Sequence, residues 1–188
     1  MSASSRCAIL ALLVVGSAQV GAQVNDFGVG GILDIPTSRM AKEGTLTTTY
    51  SRKDVADIYA IGYQPLPRLE ASFRYTIFNA RKKSPIPGTS CEFGAGSTLA
   101  CDDNRDRSFE IKYRVLDESD LIPEVSVGIR DLLGTGQWAG EYVAASKRLD
   151  NLDVSLGIGW GRFGERAIAE NPLTYLDDKF AARPTDFG

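Results

Sequence analysis

Twenty-four acidic against 21 basic side chains in 188 residues give a formal net charge of −3, with 43% hydrophobic residues, 19 Gly, 3 Cys and no His. So even a balance lacks the clustered Lys/Arg excess of a nucleic-acid-binding domain. Without His there is no Ser-His-Asp or Cys-His nucleophile pair and no His-ligated metal, while the apolar and charged fractions are those of a folded chain about one domain long.

Residues 1–22 read as a cleavable secretory leader. A short n-region ends at Arg6, an apolar run extends from Cys7 to Val15, and Val20-Gly21-Ala22 offers small residues for cleavage. A lipoprotein leader would carry a Cys just after the apolar run, and Cys7 precedes it. Removal of the leader takes Arg6 and Cys7, leaving 20 bases against 24 acids and Cys91 and Cys101 as the remaining thiols of an exported chain. In an oxidising compartment they are expected to form a disulfide, because a metal pair would need companion ligands that the sequence does not cluster.

Beyond Ala22 nothing approaches the ~18 consecutive apolar residues of a helical span, and the repeating signal has period 2. The expected strands, in chain order, are 28–35 (stopped by Pro36), 45–52, 57–64, 69–78, 107–116, 124–131, 140–148 and 152–161. In 69–78, Leu69, Ala71, Phe73, Tyr75 and Ile77 alternate with Glu70, Ser72, Arg74 and Thr76. Residues 107–116 set Phe109, Ile111, Tyr113 and Val115 against Glu110, Lys112 and Arg114, and 124–131 set Val125, Val127 and Ile129 against Ser126, Gly128 and Arg130. In 152–161, Val154, Leu156, Ile158 and Trp160 oppose Asp153, Ser155 and two glycines. The strand at 140–148 is weaker, with Ala144 and Ser146 on its expected apolar face, and residues 165–188 show no alternation.

The connections alternate in length. Pro65–Arg68, Asp117–Pro123 and Leu149–Asn151 are short, whereas 79–106 runs to 28 residues. Tyr50, Tyr59, Tyr75, Phe109, Tyr142 and Trp160 fall at the strand ends nearest the long connections, where an aromatic girdle would sit. The fold class expected is all-β, an antiparallel up-and-down meander of seven or eight strands forming an outer-membrane β-barrel or the N-terminal part of one, with strands and loops over 23–164 and an irregular 165–188. A soluble lipocalin-like barrel or β-sandwich would show the same periodicity with its faces reversed; loop asymmetry and aromatic placement favour the membrane reading.

In that reading Glu70, Arg74, Glu110, Lys112, Arg114 and Arg130 point into the lumen. Charge complementarity selects a register with Arg74 opposite Glu110, Glu70 opposite Arg114 and Ser72 opposite Lys112, and Val115 opposite Val125 then sets Glu110 against Arg130. Phe73 falls beside Ile111 and Tyr113 beside Val127 on the outer face. The polar track is either a charge ladder that fills the barrel or a surface that hydrogen-bonds sugar hydroxyls or an anionic polymer.

Motifs that invite enzymatic readings do not carry them. Gly159-Trp-Gly-Arg-Phe-Gly164 matches a dinucleotide fingerprint, but Asn171-Pro172 stops the helix that the motif requires and the preceding strand is amphipathic. The glycines at 157, 159 and 161 fit better as room on the inner face or a bend. Acid pairs such as Asp102-Asp103 and Asp117-Glu118 sit in predicted loops and turns.

Four strings in order resemble the YjbH-like exopolysaccharide-biosynthesis proteins: Gly-Gly-Ile-Leu-Asp-Ile-Pro-Thr-Ser-Arg-Met-Ala-Lys-Glu-Gly (30–44), Gln-Pro-Leu-Pro-Arg-Leu-Glu-Ala-Ser-Phe-Arg-Tyr-Thr (64–76), Val-Gly-Ile-Arg-Asp-Leu-Leu-Gly-Thr-Gly (127–136) and Glu-Tyr-Val-Ala-Ala-Ser-Lys-Arg (141–148). The resemblance covers about Gly28 to Gly161. Such proteins are several times longer, so the chain resembles their N-terminal portion. The resemblance implies an outer-membrane barrel with a part in exopolysaccharide export or assembly, contacts with outer-membrane lipid, polysaccharide and other secretion proteins, and no catalytic residue, metal or cofactor to carry over. A soluble periplasmic binding barrel is the alternative, and an outer-membrane enzyme acting on lipid or glycan lacks any nucleophile-base constellation.

Overall fold

The computed structural model describes residues 13–16, 23–53, 56–78, 104–134, 136, 138–164 and 170–180. Its strands are β1 (Leu13–Gly16), β2 (Gly31–Ile32), β3 (Ile35–Pro36), β4 (Leu46–Lys53), β5 (Ala56–Leu66), β6 (Leu69–Phe78), β7 (Asn104–Leu116), β8 (Glu124–Arg130), β9 (Gly140–Leu149) and β10 (Leu152–Gly161). Two 3-10 turns follow, Pro172–Tyr175 and Asp178–Phe180. No described helix is long and apolar enough to cross a membrane, which says nothing of strands.

From β4 to β10 each strand pairs antiparallel with its chain neighbour, and β1, inside the run read as a leader, lies on the free edge of β10 with Leu13 opposite Ser155. The sheet curls without a β4–β10 pairing. From β5 to β8 side chains alternate between a concave, buried face and a convex, exposed one, an alternation that β10 does not keep. On β6 the even-numbered residues are buried and the odd ones half-exposed, and β5, β7 and β8 keep the same phase across the ladder.

The expected strand at 28–35 does not join this sheet. Residues 23–40 instead cross the concavity as an irregular plug containing the small hairpin β2–β3. Positive φ at Gly28 (84°) and Leu33 (54°) breaks the extended backbone that a wall strand needs, and Pro36, paired only with Gly31, lies in a short two-strand ladder. The plug packs close: a Cβ on Gly62 of β5 would lie 1.9 Å from the Gly28 carbonyl oxygen, so a side chain there would push the plug off the wall.

Two further expectations are corrected. Ala144 and Ser146 of β9 lie on the concave face with Tyr142, so the apolar-outward assignment of this strand was one residue out of phase. Tyr142 therefore leaves the girdle and points inward, 4% exposed, while Tyr50, Tyr59 and Phe109 are exposed on the convex side. Trp160 is buried. Cys91 and Cys101 lie outside the described residues.

Candidate functional site

The concave face combines a small apolar cluster, Ala56, Ile58 and Phe78 with Trp138 packed against it, with buried charge; its largest fully buried side chains include Arg74, Lys112 and Glu110 beside Phe27 and Ile58. β6, β7 and β8 supply the charged groups because every second residue of each strand must point inward. Glu70, Arg74, Glu110, Lys112 and Arg130 all lie there, each no more than 4% exposed, and Arg114 joins them partly buried at the turn end. Arg74 and Glu110 share this face, as expected, and Phe73 and Ile111 share the other.

The register differs from the expectation by two residues. Glu70 stands opposite Lys112, Ser72 opposite Glu110, Arg74 opposite Ser108 and Phe73 opposite Phe109. What decides it is Asp106, which lay in the predicted loop because β7 was expected to start at 107. Arg74 Nη2 donates to Asp106 Oδ2 at 2.9 Å, and Lys112 Nζ lies 2.5 Å from Glu70 Oε2, so both bases find acids without either acid serving two strands. Stacking of Phe73 on Phe109, with centroids 5.0 Å apart, favours the same register on the convex side. Between β7 and β8, Glu110 opposite Arg130 and Tyr113 opposite Val127 match the expectation. A bulge then replaces the expected Val115–Val125 pairing with Leu116 opposite Val125.

Glu110 accepts from Arg130 Nε at 2.8 Å and from the Tyr142 hydroxyl at 2.9 Å. Tyr142 reaches it across β8 because residue 128 is Gly; a Cβ there would lie 2.3 Å from the tyrosine ring. Gly159 likewise makes room for Phe163, whose ring packs edge-on against Tyr142.

The wall holds the plug largely through main-chain atoms. Lys112 donates to the carbonyls of Gly30 (3.1 Å) and Arg39 (2.8 Å), Glu70 accepts from the Gly30 N–H (3.0 Å), Ser126 donates to the Ser38 carbonyl (2.9 Å), and Arg130 Nη1 to that of Asp34 (3.2 Å). Of the plug's side chains, Phe27 lies between two guanidiniums, 4.1 Å from that of Arg74 and 3.5 Å from that of Arg130, with Trp138 edge-on at 5.7 Å. At the opposite end Arg39 donates to Asp153 (2.8 and 3.0 Å) and to Glu118 (2.6 Å), with Glu124 3.6 Å away.

Charge at this turn end is finely balanced. Burial alone would raise the Glu118 carboxyl, but the Arg148 N–H, Arg39 and Lys147 together hold it down at about 2. Burial would lower the Arg39 guanidinium, and its bonds to Asp153 and Glu118 raise it above its ordinary value instead. Beside this cluster Thr37, Arg39, Glu124 and Asp153 border a cleft of about 250 Å³.

Asp106, Tyr142, Phe27 and Arg39 were missed from sequence. The signal for Asp106 was present, since it continues the even-numbered inward series of β7. Phe27 and Arg39 sit in irregular backbone, where no periodicity points.

An antiparallel sheet with a charged, plugged concave face and an apolar convex face defines a barrel-wall class of protein. A family model described as exopolysaccharide biosynthesis protein YbjH matches residues 23–188. A curated relative, the uncharacterized lipoprotein YjbH of Escherichia coli (strain K12), is 36% identical over 170 residues, which is 90% of this chain and 23% of the relative. The chain thus belongs to the YjbH exopolysaccharide-biosynthesis family and spans about a quarter of that relative's length. No solved structure matches it.

Proposed function

We propose that the chain forms part of the wall of an outer-membrane β-barrel that serves exopolysaccharide export or assembly, with its concave polar track facing the polymer path. The observation that carries this reading is the distribution of polarity: ion pairs buried on the concave face and exposed apolar rows across the middle of the convex one. On the convex face Ile61, Tyr63, Ile111, Tyr113, Leu156 and Ile158 are each 40–48% exposed. They continue across strands, as in the row Leu69–Tyr113–Val127–Val143–Ile158. A soluble barrel would turn these residues inward.

Measured from its aromatic and charged border, the band is compatible with a membrane crossing. From the row Tyr59–Tyr75–Arg107 to Leu116 there are nine residue steps on β7, about 30 Å along a strand. At a tilt of ~40° that is about 23 Å of height, close to the ~25 Å apolar band of outer-membrane barrels. The Tyr50–Tyr59 pair, with Arg52 and Asp57 just beyond it, marks one interface.

Export through a cleaved leader would remove β1 and free the edge of β10, and the longer family protein would supply the strands that complete a barrel. The family relative's description as a lipoprotein supports an exported, membrane-associated chain. Fractionation of the full-length protein tests the proposal: it should stay with outer membranes through high-salt and carbonate washes, and release into the carbonate supernatant would favour a soluble periplasmic barrel.

A further inference from the structure

The plug satisfies the wall unevenly. Toward the Arg39 end single buried polar atoms of Gln64 and Arg114 lack a hydrogen-bond partner, whereas around Phe27 the wall keeps a cluster of them among the described residues: Nε and Nη1 of Arg74, Nη2 of Arg130, and the hydroxyls of Thr76 and Ser108, with Trp138 Nε1 and Asp131 Oδ1 beside them. Arg74, Thr76, Ser108 and Arg130 are at most 2% exposed. They occupy one patch, since Arg74 is opposite Ser108 across the β6–β7 ladder, Thr76 is two residues further along β6, and Arg130 stacks on the same phenyl ring as Arg74. A phenyl ring offers the guanidiniums its π face but no acceptor for N–H and no partner for the hydroxyls, so each orphan forfeits its hydration without compensation.

We propose that Arg74, Thr76, Ser108 and Arg130 form a saccharide subsite that Phe27 caps in the plugged arrangement. The inference rests on the proposed function and names the part of the polar track that recognises the polymer. A pyranose ring is of similar breadth to a phenyl ring and carries on its rim the acceptors and donors that Phe27 lacks. Asp106 and Glu110 already pair with Arg74 and Arg130, and Asp131 lies near Arg74, so the sugar is recognised through the N–H groups these pairs leave over; a carboxylate on its rim is the strongest acceptor for them, while ring hydroxyls bond Thr76 and Ser108. Trp138, 4.8 Å from the Arg74 guanidinium on the side of the plug, adds an aromatic wall. Entry of the sugar requires Phe27 to leave, and Gly28, at φ 84°, is the adjoining point where the chain turns.

The test measures binding of oligogalacturonate and of neutral malto-oligosaccharide to the full-length protein in detergent by calorimetry. Phe27→Ala should tighten oligogalacturonate binding about tenfold or more over wild type and change the neutral sugar less. Thr76→Val, which keeps the side-chain shape and deletes an unpartnered hydroxyl, should leave the unfolding midpoint unchanged or higher and weaken oligogalacturonate binding severalfold in the Phe27→Ala background. Equal affinities for the acidic sugar in wild type and Phe27→Ala, or in the Phe27→Ala protein with and without Thr76→Val, would overturn the subsite. Membrane fractionation of the same proteins is read separately, so a protein that binds sugar but washes from the membrane refutes the barrel and not the subsite.

Discussion

Neighbouring residues on β7 live in opposite worlds. Glu110 is 1% exposed and tied to Arg130 and Tyr142, while Ile111, the next residue, is 40% exposed and stands between Ala71 and Ile129. In a water-soluble protein the first would cost solvation and the second would waste burial. The pairing makes sense where the solvent outside is hydrocarbon, because a polar interior then loses nothing to an apolar alternative and the outer face must match lipid. On the proposed barrel-wall reading the concave face is held by specific pairs, and the convex face by its surroundings.

The sharpest way to break this contrast is to orphan a concave charge. Lys112→Met removes the partner of buried Glu70 and two donors to the plug, and should cost about 3–5 kcal/mol, read from denaturant unfolding. The double variant with Glu70→Gln should recover part of that loss. On the convex face, Ile111→Arg should cost about 2–4 kcal/mol for protein folded in bilayers, as for a cation near the membrane midplane. A cost within ±0.5 kcal/mol, the range of an ordinary wet surface, would mean that this face does not meet lipid.

Smaller effects probe the packing between the faces. Gly128→Ala drives a methyl into the Tyr142 ring and should cost about 1–3 kcal/mol, whereas Gly157→Ala, whose Cβ would meet only the Val143 carbonyl oxygen at 3.4 Å, should cost less. The smallest effect is a pH dependence at the Arg39 end. The Glu118 carboxyl is held at about 2 in the folded chain against 4.5 for an ordinary glutamate, so its contribution is fully present above about 4.5 and is lost as pH falls through 2. Unfolding midpoints measured from pH 6 to 2 should fall more steeply for wild type than for Glu118→Gln.

Much of the wall was legible in the sequence, because a strand between two unlike media must alternate, and 69–78, 107–116, 124–131 and 152–161 alternate cleanly. Periodicity fixes faces and leaves register open. Register turned on Asp106, one residue outside the predicted strand, and on a bulge between Arg114 and Leu116 that no local composition announces. β9 misled because its inner residues Tyr142, Ala144 and Ser146 are hardly more polar than its outer Val143 and Ala145. Residues 28–35 of the plug resemble a strand because they are apolar apart from Asp34, yet their role follows from what surrounds them: the plug fills the space that the curled wall leaves.

The most direct measurement of the central claim is nitroxide accessibility along β7 in the full-length protein reconstituted in liposomes, with Cys91 and Cys101 replaced and single labels placed in turn at residues 109 to 113. The account predicts that labels at Phe109, Ile111 and Tyr113 are relaxed strongly by oxygen and hardly by a water-soluble nickel chelate, with Glu110 and Lys112 shielded from oxygen between them. Equal access of the nickel chelate to 109, 111 and 113 would contradict it.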